Sequence, residues 1–367
     1  NGGRDFGAGA RGGEQIKFMK KIRFGFLSTA NIGRKNWNSI YHSRNAVVAA
    51  VASRDVKKAR QFIKELQAEA PFEKAPEAFG SYEALLASKN VDAIYIPLPT
   101  GLRKEWVLRA ASAGKHVLCE KPCGLNSADV REMISACKKN RAQFMDGVMF
   151  MHNPRMNRLR KFLDDGKSVG QVKRVTANFS FHMAEAVYGK NIRLHSALEP
   201  AGCLGDLGWY CIRFALWAMN WKLPREVRGQ ILSERRARKN LAPVPLDFSG
   251  ELIFDEKTSA SFYCSFIAQY QNWVLVIGAQ ASLVVSDFVH AASDHETTFE
   301  LNQKEIRVKG CKCRGTHDQS LKYAQFTNMI RNFSNQIRSG QLNDDWPMWS
   351  LKTQKVLDAC FASALKR

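Results

Sequence analysis

The chain has 367 residues, 45% hydrophobic and 24% charged, the composition of an ordinary globular protein with room for two domains of about 150 residues each. Disordered, collagen-like and disulfide-scaffold classes are excluded, and the longest apolar runs, around Val274–Gly278 and Leu283–Val285, fall far short of the roughly 18–20 residues of a membrane span. Lys and Arg number 55 against 34 Asp and Glu, a formal net charge of +21 that raises the question of a polyanionic partner.

Residues 1–18 are rich in glycine and lack the apolar core of a secretory signal. They read as a flexible extension or a cloning remnant, with a processed transit peptide as the alternative, and Met19-Lys20-Lys21 reads as the natural start. Ile22–Leu27 is then a short buried strand, and Ser28-Thr29-Ala30-Asn31-Ile32-Gly33 turns into a helix through Ile40. Val47–Ala52 is an almost unbroken β-branched and alanine run, the pattern of a strand buried on both faces. Helices over 56–68 and around 81–87 follow, then a third strand at 91–96 ended by Pro97 and Pro99. A helix over 102–113 stops at Gly114, where a capping glycine belongs. A fourth strand at 116–118, a crossover helix at 127–139 and a fifth strand at 144–149 complete the series. Strands alternating with helices make βαβ units, so the expected class is α/β, with a Rossmann-type doubly wound parallel sheet over 19–150.

That rhythm stops near residue 150. After a helix at about 154–164 come longer alternating strands at 171–183, 225–233, 247–255, 258–270, 272–279, 282–287 and 297–308. Short connections such as Asp255-Glu256-Lys257 predict antiparallel neighbours. Residues 151–345 are therefore expected to form a second α/β domain with a large, mostly antiparallel open sheet. Helical stretches at about 318–338 and 349–365 follow, and 346–367 is expected to pack back on the assembly.

The turn after the first strand is a phosphate cradle, because backbone N–H groups and the helix dipole there favour an anion. The dinucleotide fingerprint G-x-G-x-x-G is reduced to Ser28-x-Ala30-x-x-Gly33. Ser and Ala are small enough for a pyrophosphate to approach, and Gly33 keeps the close helix–strand packing. Ser28, Thr29, Ala30, Asn31 and Ile32 are the candidate cradle. The end of the second strand bears on the choice of nucleotide. A site for NAD places Asp or Glu there to accept from the ribose 2′-OH. This chain has Ser53-Arg54, with Lys58 one turn into the next helix. Arg54 can stack on adenine and pair with a 2′-phosphate, Ser53 can donate its hydroxyl, and Lys58 adds charge. Asp55 is better explained as a helix N-cap. The set favours NADP over NAD.

At Cys119-Glu120-Lys121-Pro122, on the end of the fourth strand, the sequence resembles the Gfo/Idh/MocA oxidoreductases, named for glucose–fructose oxidoreductase, inositol dehydrogenase and MocA. Ala52-Ser53-Arg54, the stretch Gly80–Leu86 and the stretch Gly202–Tyr210 agree, and the similarity runs over about residues 20–365. The resemblance implies a Rossmann domain followed by an α/β domain whose open sheet mediates homo-oligomers, here a dimer or tetramer. It implies an enzyme that exchanges a hydride between a nicotinamide and a sugar, polyol or vicinal diol, like xylose dehydrogenases and dihydrodiol dehydrogenases.

By the same resemblance, Lys121 points toward the nicotinamide and the reacting oxygen. Tyr210, where the family has His or Tyr, exchanges a proton with the substrate oxygen, tuned by Lys121. Asp206 holds a substrate hydroxyl or orients that pair. Four residues apart, Asp206 and Tyr210 share one face of a helix; a core tyrosine after an N-cap aspartate is the competing reading. Arg193 matches a substrate-facing position, although Asn191 replaces the usual acid. Glu120 and the backbone of Pro97, Leu98 and Pro99 fall to the cofactor, and Arg103 stands where the family commonly has His. His152 reads as structural. A non-catalytic NAD(P)-binding sensor or corepressor on the same fold is the competing function, and retention of Lys121 argues against it.

The nine cysteines, mostly within apolar segments, read as buried free thiols of a reducing compartment, hence a cytoplasmic protein with an organelle as the alternative. Cys311-Lys312-Cys313 is too tight for a zinc knuckle, and His195, Asp294, His295 and His317 are scattered, so no metal is expected. Residues 1–150 hold 25 basic and 14 acidic residues and residues 151–367 hold 30 and 20, so the excess charge is spread evenly. The densest cluster, Arg235, Arg236, Arg238 and Lys239, reads as a solvated loop. With no nucleic-acid module beside it, the expected partner is a small molecule, with no specific nucleic acid and no membrane.

Overall fold

Six short strands, β1 (Ile22–Leu27), β2 (Ala46–Ala52), β3 (Glu77–Phe79), β4 (Ala93–Ile96), β5 (His116–Cys119) and β6 (Phe144–Asp146), form a parallel sheet in the order β3-β2-β1-β4-β5-β6. This computed structural model describes residues 20–188, 191–236, 238–291, 296–309 and 324–366. The extension read at 1–18, Cys311, Cys313, Asp294, His295, His317 and the first residues of the helix expected from 318 lie outside them. The connecting helices are α1 (Ile32–Ser43), α2 (Val56–Glu69), α3 (Tyr82–Ala87), α4 (Thr100–Ser112) and α5 (Ser127–Lys139). Helices on both faces explain why Phe24, Phe26, Val51, Ile94 and Tyr95 are fully buried: the strands have no wet side. Strand β3, three residues with an exposed Glu77, left no pattern to read in the sequence. The strand order reverses between β1 and β4, and ligands bind in the crevice outside the carboxyl ends of strands at such a point.

After α6 (Pro154–Asp164) the chain builds an eight-stranded sheet from β7 (Val172–Ser180), β8 (Glu226–Arg235), β9 (Val244–Asp255), β10 (Thr258–Ser265), β11 (Gln271–Gly278), β12 (Ser282–Val285), β13 (Glu296–Leu301) and β14 (Lys304–Lys309). Its order is β14-β13-β12-β11-β7-β10-β9-β8, and all pairs are antiparallel except β7 with β10. The inner face, which carries Phe248, Leu252 and Phe254 of β9, packs through β7 and β10 on α7 (Trp209–Ala218), every residue of which is buried. The strand read at 297–308 is two strands. Asn302 and Gln303 take left-handed φ values of 49° and 66°, a tight hairpin turn, and the apolar positions change phase across it, from Phe299 and Leu301 to Ile306 and Val308. The strands read at 171–183 and 258–270 also end early. Ser265 Oγ accepts from the amides of Ile267 and Ala268 and turns the chain out of β10.

Two helices bring the chain back. Helix α8 (Ala324–Ser339) lies along α1, with Asn45 Nδ2 donating to Arg331 O at 3.0 Å. Helix α9 (Asp345–Ala364) sits between the sheets; its Asp358 accepts from Ser127 N of α5 at 2.6 Å and its Ser363 Oγ from Gly229 N of β8 at 3.1 Å. The described cysteines, 119, 123, 137, 203, 211, 264 and 360, are all buried free thiols. Among the described residues no helix is long and apolar enough to cross a membrane.

Candidate active site

The cradle opens at the end of β1. Ser28 has φ 107°, a conformation that favours glycine and stands where the fingerprint has its first glycine. Its N–H donates to Ala52 O at 3.0 Å and its Oγ accepts from Ala30 N at 3.2 Å, closing the turn against β2. The N-cap of α1, Asn31, makes no side-chain capping bond, which leaves that helix end to an anion. A Cβ on Gly33 would stand 3.3 Å from the Phe62 ring and 3.6 Å from that of Phe26, so the third glycine does its packing work. These features fit the pyrophosphate of a dinucleotide. At the end of β2, Ser53 is buried while Arg54 and Lys58 are exposed, and Asp55 caps α2 by accepting from Lys57 N at 2.9 Å.

Across the crevice, Pro97-Leu98-Pro99 leads from β4 into α4. Arg103 is buried behind this loop; its Nε donates to Leu98 O at 2.7 Å, and its guanidinium also donates to Thr100 Oγ1 at 3.0 Å and to Pro122 O. Thr100 in turn gives its N–H and hydroxyl to the Glu199 carboxylate at 2.9 and 2.6 Å. One arginine thus ties the loop after β4 to the turn after β5 and, through Thr100, to the segment that follows Arg193. Arg103→Ala leaves two carbonyls without their donor and is expected to cost about 2–4 kcal/mol of stability, read from urea denaturation. A loss below about 0.5 kcal/mol would show that the guanidinium holds nothing.

The Glu120 carboxylate turns inward from the end of β5. Its Oε1 accepts from Tyr95 Oη at 2.7 Å, and Tyr95 Oη accepts from Asn36 Nδ2 at 2.8 Å. Burial first, then the Glu120 charge, pushes the Tyr95 phenol well above its ordinary value. The Glu120 side chain therefore anchors β4 to β5.

Lys121 is the centre of the site. Its Nζ donates to both the backbone O and Oδ1 of Asp206, each at 2.6 Å, and lies 4.4 Å from the centroid of the Tyr210 ring. Asp206 sits in a single π-helical turn, Leu204–Gly208, that leads into α7. Gly202 sets this turn: φ is 47°, and a Cβ there would collide with the Pro245 carbonyl. Arg193 Nε donates to Asp206 Oδ2 at 2.5 Å. Burial pushes the Asp206 carboxyl up, but Lys121 and then Arg193 outweigh it and hold the group well below the usual carboxylate range. Asp206 and Tyr210 do converge on one cation, but with a carboxylate and a ring face. The Tyr210 hydroxyl points instead at Met149 Sδ, 3.9 Å away, and burial, then Glu120 and Asp206, pushes it well above its ordinary value. The hydroxyl read as exchanging a proton with the substrate oxygen, tuned by Lys121, makes no direct hydrogen bond to Lys121, which meets the ring face instead.

Behind this centre lies an aromatic floor in which Phe179 stands 5.6 Å and Phe150 6.2 Å from Tyr210, centroid to centroid. His152 faces away, with Nδ1 3.1 Å from Asn332 Nδ2 and its ring on Trp346, and burial, then Arg213, brings it down to about 4. That is the structural role read for it. Among the described residues, no group of three or more His, Cys, Asp or Glu gathers as a metal site. Two residues escaped the sequence reading. Arg213 is fully buried against Asp146, and an arginine in the otherwise apolar helix Trp209–Ala218 was the available signal. His290, in the loop after β12, carried no signal at all.

Comparison with known proteins agrees with this geometry. Residues 22–148 match the model of the oxidoreductase family with an NAD-binding Rossmann fold, and residues 156–284 match the GFO/IDH/MocA C-terminal domain. A D-xylose 1-dehydrogenase (NADP(+)) of Haloferax volcanii is 36% identical over 194 residues, 53% of this chain and 56% of that protein. The trans-1,2-dihydrobenzene-1,2-diol dehydrogenase of Bos taurus is 32% identical over 65% of this chain and 66% of its own. The chain thus matches between half and two thirds of these curated relatives. A crystal structure of a 3-ketoreductase from Actinomadura kijaniata with NADP and TDP-benzene superposes with a TM-score of 0.80 at 23% identity, over 94% of this chain and 98% of that one, and shares the fold. Two consecutive family domains, found where the two sheets were found, place the chain in the GFO/IDH/MocA family of NAD(P)-binding oxidoreductases.

Proposed function

We propose that the protein is an NADP-dependent dehydrogenase or reductase acting on a carbinol or carbonyl carbon of a sugar, polyol or vicinal diol. The observation that carries this reading is Lys121, fixed by Asp206 and flanked by Arg193 at the carboxyl end of β5, beside the reversal of strand order. A bound nicotinamide supplies or accepts the hydride. The chain's own part is to position the carbon and manage charge at its oxygen. Lys121 hydrogen-bonds that oxygen: its Nζ takes up the hydroxyl proton when the alcohol is oxidised and gives one back to the carbonyl oxygen when the ketone or aldehyde is reduced. Asp206, ionised at every physiological pH, keeps the ammonium in place, and Arg193 completes the neutralisation. The Tyr210 ring covers one side of the ammonium and excludes water there.

Ser53, Arg54 and Lys58 support NADP, since the end of β2 offers no acid free to accept from a ribose 2′-OH: Asp55 is engaged as a helix cap. NADPH is expected to bind at least tenfold tighter than NADH in a fluorescence titration. Arg54→Ala should weaken NADPH about tenfold more than NADH, since only NADPH loses a charge-assisted phosphate contact while any stacking on adenine is lost by both. Equal wild-type affinities would remove the NADP assignment. The deciding assay is a panel of aldoses, ketoses, inositols and diols with NADP⁺, and of the matching ketones with NADPH. A panel without turnover favours the sensor reading. Trp273, Leu275 and Ile277 of β11, with Val284 of β12, make an apolar patch on the outer face of the large sheet, beside the polar stretch that holds the Arg174–Glu251 pair, and this patch supports a homo-oligomer through that part of the face.

A further inference from the structure

His290 lies on a loop whose backbone is held by its neighbours while its side chain is left open. Asn272 of β11 accepts at its carbonyl from Phe288 N (3.2 Å) and at Oδ1 from Val289 N (2.9 Å), and its Nδ2 donates to His290 O at 3.0 Å. From α8, Gln325 Nε2 donates to Val289 O at 2.7 Å. The residue is exposed, and its ring nitrogens have no hydrogen-bond partner among the described residues. The ring packs on Phe179 at 5.8 Å, Phe179 on Tyr210 at 5.6 Å, and the Tyr210 ring carries Lys121 Nζ at 4.4 Å. One aromatic row therefore runs from His290 to the ammonium at the centre of the site.

Charged groups act on this imidazole from three elements: Lys35 of α1, Lys121 at the end of β5, and Asp206 of the π-helical turn. Desolvation of the ring against its neighbours, then the two ammonium groups, brings it down to about 4, against the weaker pull of Asp206. At neutral pH the ring is uncharged and presents one donor and one acceptor. A histidine that merely shaped the loop would use its nitrogens to hold it, and here Asn272 and Gln325 do so instead.

We propose that His290 is a substrate-contact residue, whose open imidazole, one aromatic row from Lys121, reads a hydroxyl of a polyhydroxylated substrate beyond the carbon that reacts. This rests on the reading of Lys121 given above and narrows it to substrates with at least one hydroxyl beyond a vicinal pair. The test compares wild type, His290→Ala and His290→Gln with D-xylose, myo-inositol and trans-cyclohexane-1,2-diol as probes, with NADPH affinity measured in parallel. In His290→Ala, kcat/KM for xylose or inositol should fall at least tenfold, chiefly through KM, with NADPH affinity within twofold. His290→Gln, which keeps a donor and an acceptor, should recover most of the loss. The cyclohexanediol, with no third hydroxyl, should change less than twofold. A KM within twofold of wild type for xylose and inositol in His290→Ala overturns the proposal, as does wild-type turnover confined to the simple diol, and both leave the reading of Lys121 intact. A wild type that turns over none of the probes overturns both.

Discussion

Lys121→Met loses about 10³-fold or more in kcat while binding NADPH as tightly as wild type. Methionine keeps roughly the length and volume of the lysine stem, so the site is neither emptied nor overfilled. What disappears is the ammonium, and with it both the proton partner of the reacting oxygen and the positive charge beside it. Each of these contributes about 10²–10⁴-fold where it has been isolated. Asp206 does not become a stranded anion, because Arg193 remains paired to its other oxygen. The fold should therefore tolerate the change, and the phosphate cradle, built from β1 and α1 on the far side of the crevice, is untouched. Single-turnover measurements with preformed NADPH complex separate the chemical step from binding. Turnover within tenfold of wild type would show that the oxygen is served by another group and remove Lys121 from the chemistry.

The first sheet was legible because burial on both faces writes unbroken apolar runs, as in Val47–Ala52, and because helices such as α2 and α4 are punctuated by a cap, Asp55, or a stop, Gly114. The 302–303 turn was harder to read, since it carries no Gly or Pro and only the change of phase from Phe299 and Leu301 to Ile306 and Val308 marks it. At the site, Lys121, Asp206 and Arg193 were legible one at a time, but their mutual pairing depends on a π-helical turn that no spacing rule foresees. The four-residue spacing put Asp206 and Tyr210 on one helix face; it gave no hint that one would offer Lys121 its carboxylate and the other its ring. Arg103 was read only as a departure from a family habit. Its role as a tie between three segments comes from carbonyls that lie 5 and 19 residues away in sequence, and backbone acceptors have no signature.

Arg213→Ala carries the largest expected cost in stability, about 3–5 kcal/mol, because it breaks a buried ion pair and leaves the other charge behind. Arg213 is fully buried in α7; its guanidinium faces both oxygens of Asp146 at the end of β6, its Nε donates to Thr353 Oγ1 of α9 at 2.7 Å, and it lies 5.6 Å from the Trp209 ring and 5.9 Å from that of Trp221. These contacts join the parallel sheet, the helix that follows the Asp206 turn and the returning C-terminal helix, so the loss falls where the three layers meet. Urea unfolding followed by tryptophan fluorescence should show a lower midpoint, with Trp209 and Trp221 reporting from the site itself. The double variant Arg213→Met with Asp146→Leu separates two causes. If the cost is the stranded Asp146 carboxylate, replacing both charges with apolar groups of similar volume should recover most of it, as buried pairs generally allow. If the double variant is as unstable as Arg213→Ala, the hydrogen bond to Thr353 and the packing between the two tryptophans carry the stability, and the ion pair is incidental.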